Sequence, residues 1–168
     1  MTLAFSQELN GDKTYFINKI WKSLVDNDIL PFYSYQKYLY LYDNKFGDVW
    51  DFGVGLPPKI HTIRKDKANR WKEGNMIHFV INNRTKDRFQ FAPEVICTGV
   101  QKIEIKYNNS DYPVVTIDNK ALYISNKDDY SILHKLSQND GFKTVEEFFG
   151  YFNKDFKGKI IHWTNFKY

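Results

Sequence analysis

Apolar and polar positions divide the chain into helical ends and a β-rich middle. Leu3-Ala4-Phe5 reads as a short first strand. Phe16, Ile20, Trp21 and Leu24 recur at helical spacing behind Asp12 or Thr14 as capping residue, which predicts a helix to about Val25. The turn Asp26-Asn27-Asp28 closes it. Pro31 suits the first turn of a second helix, Phe32 to about Tyr42, although that segment is also rich in strand formers. Residues 46–58 are irregular, with glycines and prolines around Asp48, Trp50, Asp51 and Phe52. A loop so dense in Trp and Asp has a reason to be ordered, either as a plug on the core or as part of a site.

The middle of the chain is β in character. Ile60 to Arg64 is a short β-like run, and Met76 to Ile81 is apolar enough for a strand buried on both faces. Asn82 to Arg88 is a polar, basic connection. Val95 to Lys106 reads as one long strand whose end, Lys102 to Lys106, alternates. Val114–Ile117 and Lys120–Ile124 flank Asp118-Asn119 as a hairpin with a type I′ turn. Helices return with Ser125 or Asn126 capping a segment to about Ser137, striped by Ile132, Leu133 and Leu136. Thr144-Val145-Glu146-Glu147 is a capping box for a helix through Phe152. Gly158 then releases a last strand, Lys159 to about Phe166. No repeat or linker splits the 168 residues. The expectation is one α+β domain of five or six strands and several short helices, with a mainly antiparallel sheet or small barrel.

Composition sharpens this in two ways. Aromatic residues make up 18% of the chain; they serve as core and core-edge filler, or some exposed Tyr or Trp would suit stacking on bases or filling a partner's pocket. A net charge of +4 and a pI near 8.9 are mildly basic and compatible with a phosphate-bearing partner. The lone Cys97 excludes an internal disulfide and a cysteine-based zinc site. No apolar run approaches the roughly 18 residues of a membrane span. The first residues lack the basic start and apolar stretch of a signal peptide, so a cytoplasmic protein is expected.

Metal chemistry has no support in the pattern: His61, His78, His134 and His162 form no close pair, and neither HExxH nor CxxC occurs. A nucleophile elbow, a P-loop and a dinucleotide fingerprint are likewise missing, and no cofactor is expected. The densest chemistry lies in residues 57–74, where a diproline leads into Lys59-Ile60-His61-Thr62-Ile63-Arg64 and then a basic loop. Strand alternation puts Thr62 and Arg64 on one face and Lys59 and His61 on the other. Lys59 and Thr62 converge only if the chain bends after Pro58. A desolvated lysine near Arg64 would have a lowered pKa and could serve as base or nucleophile; a lysine and arginine together also fit a phosphate or base edge. A solvated basic strand edge is the bland alternative.

Lys59-x-x-Thr62-Ile63-Arg64, followed by basic residues and Lys72-Glu73-Gly74 before an apolar strand, resembles the signature of ASCH domains, which belong to the PUA-like β-barrel superfamily. Leu3-Ala4-Phe5-Ser6, Asn139-Asp140-Gly141-Phe142 and Ile160-Ile161-His162-Trp163 extend the resemblance over most of the chain, with residues 26–58 as an elaboration. The resemblance implies a barrel flanked by helices, a cleft lined by the Lys59–Arg64 strand, and RNA or a modified nucleotide as partner. Lys59, Arg64, Lys65, Arg70 and Lys72 would then meet phosphates or base edges while Trp71 or Trp50 stacks. Some small ASCH proteins are amidohydrolases that deacylate N4-acetylcytidine with a lysine, a threonine and an acidic residue. Those roles fall on Lys59, Thr62 and Asp140, the last one methylene shorter than their glutamate. The exposed tyrosines of residues 33–42 leave a protein-interaction module as a third possibility.

Overall fold

The computed structural model describes residues 1–52, 55–107, 113–122 and 127–168, the side chains of 127–129 excepted. Strand β1 (Thr2–Ala4) leads into a small hairpin, β2 (Glu8–Leu9) and β3 (Asp12–Lys13), turned by Asn10-Gly11. Helices α1 (Phe16–Asp26) and α2 (Phe32–Phe46) follow, then β4 (His61–Arg64), β5 (Met76–Ile81), β6 (Phe89–Gln90) and β7 (Val95–Ile96). Strands β8 (Gly99–Lys106), β9 (Val114–Ile117) and β10 (Lys120–Leu122) precede α3 (Lys127–Asn139), α4 (Val145–Tyr151) and β11 (Phe156–His162). The class is α+β, as the pattern predicts, but the strands are shorter and more numerous than five or six.

Two sheets carry the fold. One is antiparallel in the order β10-β9-β8-β11-β4; the other runs β1-β5-β6, with β7 also on β5 and β1 parallel to it. Where one long strand was expected over Val95–Lys106, the chain crosses between the sheets at Cys97 and Thr98. The Cys97 N–H donates to the Asn75 carbonyl beside β5 and that of Thr98 to the His162 carbonyl of β11, so the chain passes from one sheet to the other between these two residues. No ladder among the described residues closes a barrel.

Each sheet covers its own core. Ile20, Trp21 and Leu24 of α1 are fully buried with Phe79, Ile161 and Trp163, and the Trp21 indole donates to the Phe91 carbonyl at 2.8 Å. Ile103, Ile105, Val115 and Ile160 form the second core beneath α3 and α4, with Leu136 and Phe148. Burying side chains of this size stabilises by about 1.5–3 kcal/mol each. On α2, Tyr35 and Tyr42 turn inward while Tyr33 and Tyr40 stay exposed.

The helix ends differ from their predicted caps. Thr14 Oγ donates to the Ser6 carbonyl at 2.8 Å and receives only a long contact of 3.4 Å from Phe16 N, so Tyr15, at φ 54°, is the N-cap of α1 without a side-chain bond. Pro31 is the N-cap of α2, outside its first turn. Thr144 caps α4 as expected, accepting from Glu147 N at 3.2 Å. The cap predicted for α3 at Ser125 or Asn126 lies outside the described residues. Gly158 does not release the last strand but sits inside it. A Cβ there would come 2.5 Å from the Arg64 carbonyl, so only glycine lets β11 lie this close to β4.

Candidate functional site

Lys59 follows the diproline and stands two residues before β4 begins, outside the strand's alternation. Its N–H donates to the Lys19 carbonyl and that of Ile60 to Asn139, which ties α1 and the end of α3 to this segment. The Lys59 ammonium donates to Asp140 Oδ1 at 2.8 Å and to the Asp140 main-chain oxygen. Asp140 Oδ1 also accepts from Ile63 N at 3.0 Å, and His61 Nδ1 stands 3.7 Å away. Lys59 is 1% exposed and Asp140 4%, so this is a buried ion pair.

The charges follow from that burial. Desolvation lowers the Lys59 pKa to about 8; the Asp140 charge and hydrogen bond oppose the shift, and Arg64 and Lys19 add to it. Burial raises the Asp140 carboxyl, but Lys59 and His61 outweigh it and hold the group below the ordinary value. Both partners are therefore charged at pH 7. Gly141, at φ +95°, follows directly. A Cβ there would lie 2.7 Å from Phe16 Cε1 and 3.1 Å from Lys59 Cδ, so glycine is what lets the ring and the lysine stem approach.

Two aromatic rings stand over this pair. The Lys59 ammonium lies 4.9 Å from the Phe16 centroid and 5.9 Å from that of Phe5. Arg64 stacks on Phe5 at 5.2 Å and donates to the Ala4 carbonyl at 2.7 Å, bridging the free edges of β4 and β1. The structure thus brings Lys59, Arg64 and Asp140 together around Phe5 and Phe16. Thr62, paired with Ile161 and 2% exposed, faces the first core, and its hydroxyl makes no hydrogen bond among the described residues.

Beyond the two rings lies a cleft of about 610 Å³, lined by Phe5, Tyr15, Phe16, Asn18, Trp50 and Asp51 among others. The N-terminus of α1 opens into it. The N–H groups of Ile17 and Asn18 have no partner among the described residues, and no acidic side chain stands in the first turn. Asn18 Nδ2 donates to the Asp51 main-chain oxygen at 2.8 Å and to its carboxylate at 3.1 Å, which fixes the wall. Trp50 packs edge-on against Tyr42 at 4.3 Å, and its indole N–H is buried without an acceptor among the described residues. Leaving such a donor unpaired costs about 1–3 kcal/mol.

The other sequence candidates stand elsewhere. Asp66 accepts from Arg70 N at 3.0 Å and Trp71 N at 2.8 Å and pairs with Lys159, so the basic loop is pinned. Trp71 is buried in the first core and presents no face for stacking, whereas Lys65, Arg70 and Lys72 are exposed around it. Arg64 and Lys65 line a separate hollow with Phe156. Tyr15 and Asn18, absent from the sequence candidates, join Trp50 in the cleft. The loop of residues 46–58 signalled Trp50 and Asp51, but nothing in the pattern marks Tyr15 as an uncapped helix start.

No protein-family model matches the chain, and no curated protein or solved structure is similar to it. Among the described residues no group of His, Cys, Asp and Glu could hold a metal ion, and no helix is long and apolar enough to cross a membrane.

Proposed function

We propose that the chain is an ASCH-type, PUA-like module that binds RNA or a modified nucleotide by taking one base into the cleft at the start of α1. The observation that carries this is the pair of unspent backbone donors at an aromatic wall, Ile17 N–H and Asn18 N–H, with the Trp50 ring and the Asp51 carboxylate beside them. A base offers carbonyl and ring-nitrogen acceptors to such donors, amino groups to a carboxylate and a π-face to Tyr15 or Phe16. The volume falls within the range of about 300–1,000 Å³ usual for ligand pockets. The barrel-like part of the proposal is supported by the contact between the edge strands β4 and β1, where Arg64 donates to the Ala4 carbonyl.

In this proposal Lys59, Asp140 and Arg64 support the rings that form the inner wall, while exposed Lys65, Arg70 and Lys72 meet phosphates of a longer RNA. The test is titration with nucleosides and short single-stranded RNA at several salt concentrations. Binding is expected to weaken with salt by a slope of about 0.7 per phosphate contacted. Tyr15→Asn, which keeps the left-handed backbone and removes the ring, should cost about 1–3 kcal/mol of affinity. No binding to any probe at low salt would sink the proposal.

The hydrolase alternative draws on one observation, a lysine with a pKa of about 8 beside a carboxylate. With side-chain exposures of 2% and 6%, the pair meets an acyl carbonyl only if Phe5 or Phe16 moves aside. N4-acetylcytidine should therefore emerge unchanged from prolonged incubation; release of cytidine would favour the hydrolase.

A further inference from the structure

A second, smaller pocket of about 170 Å³ lies on the other side of the β2–β3 hairpin and shares Lys13, Thr14 and Phe16 with the cleft. Its inner wall carries Lys19, 3% exposed, whose ammonium donates to the Gly141 carbonyl at 2.6 Å. Among the described residues Lys19 forms no ion pair, whereas Lys59, whose N–H donates to the Lys19 carbonyl, is paired with Asp140. An ammonium this buried with no carboxylate in contact is costly, and one on a cavity wall points to an anion from outside. Exposed Lys13 and Lys143 stand at the same pocket. Asp12 and Glu147 also line it; the Glu147 charge acts on Lys19 from beyond contact distance, while its Oε2 accepts from Lys143 N at 2.9 Å. Three ammonium groups therefore face two carboxylates.

We propose that this pocket holds a phosphate group of the ligand whose base enters the cleft, so that the ligand is a nucleotide unit and not a bare nucleoside. This rests on the base-cleft proposal above. The pocket is too small for a second base with its sugar and suits a single anionic group. Lys19 gains from the phosphate a counter-charge in direct contact, through charge-assisted hydrogen bonds that Lys13 and Lys143 supplement from the rim. The phosphate comes either from a free nucleotide or from the RNA backbone.

Calorimetric titration of the full chain with nucleosides, their monophosphates, inorganic phosphate and a short single-stranded RNA tests this. A phosphate-bearing ligand is expected to bind at least about tenfold more tightly than its nucleoside, the worth of one hydrogen bond to a charged group. Lys19→Met should erase that gain and leave the nucleoside's affinity in place. Lys13→Ala with Lys143→Ala, both at exposed positions, should lower the salt slope for RNA and carries the test if Lys19→Met does not fold. A gain already present with monophosphates identifies a free nucleotide, and one confined to RNA identifies the backbone. Equal affinity with and without phosphate, or a gain that survives both variants, overturns the phosphate pocket alone. Absence of binding by every nucleoside, nucleotide and RNA removes the base cleft and the phosphate pocket together.

Discussion

Asp140→Ala is expected to destabilise the fold by about 3–5 kcal/mol, the cost of leaving a buried charge without its partner. The carboxylate holds three things at once: the Lys59 ammonium, the Ile63 N–H and the approach of His61. Removing it strands Lys59 among Phe5, Phe16 and Arg64. Native domains have only about 5–15 kcal/mol in total, so the variant should sit close to unfolding at ordinary temperature. Asp140→Asn keeps an acceptor for Ile63 N and should lose less, because Lys59, already at about pKa 8, can shed its proton. The double variant Lys59→Met with Asp140→Leu should recover most of the loss, since no unpaired charge then remains. Urea unfolding of the four chains measures all of this. A loss under about 1 kcal/mol for Asp140→Ala would be that of a surface pair and would contradict a buried one.

Acid should unfold the chain from an unusually high pH. His162 is fully buried with neither ring nitrogen hydrogen-bonded among the described residues, and its pKa is lowered to about 2 by burial, with His61 and Lys167 nearby adding to the shift. Burial also lowers His61, against the pull of Asp140. The unfolded chain therefore takes up protons near pH 6.5 that the folded chain refuses. Stability is complete above that pH and is lost as pH falls, by about 1.4 kcal/mol per pH unit for each such histidine. The window from pH 6.5 to 5 isolates the effect, because Asp66 and Asp140 are held below their ordinary value and act only at lower pH. His162→Leu should reduce the slope across this window by about that one-histidine increment. A flat stability profile between pH 7 and 5 in the unsubstituted chain would show that the imidazoles are not kept neutral.

Much of the framework is legible in the residue pattern. The stripe Ile20, Trp21, Leu24 does face a core, Asp118-Asn119 turns with both residues at positive φ, and Thr144 caps its helix. These signals are local: they depend on spacing or on one turn's chemistry. What escaped the pattern depends on distant partners. The pattern leaves Lys59 open between a desolvated lysine and a solvated strand edge, because what makes its burial tolerable is Asp140, 81 residues away. Gly158 reads as a strand breaker, yet it answers to the Arg64 backbone beside it. Trp50 and Trp71 are indistinguishable as loop tryptophans until the fold buries Trp71 under Asp66's turn and sets Trp50 at the cleft.

The base-cleft account is tested most directly by the four tryptophan indole N–H signals in a proton–nitrogen spectrum. The Trp21 and Trp163 indoles already donate to Phe91 O and Ser23 Oγ and should hold their positions when nucleotides or RNA are added. Trp71, in the core away from the cleft, should do the same. The Trp50 signal should move with saturation, as a base stacks beside it or accepts its proton. Binding that leaves Trp50 unmoved, or that moves Trp71 instead, would put the ligand on the basic loop and contradict the cleft.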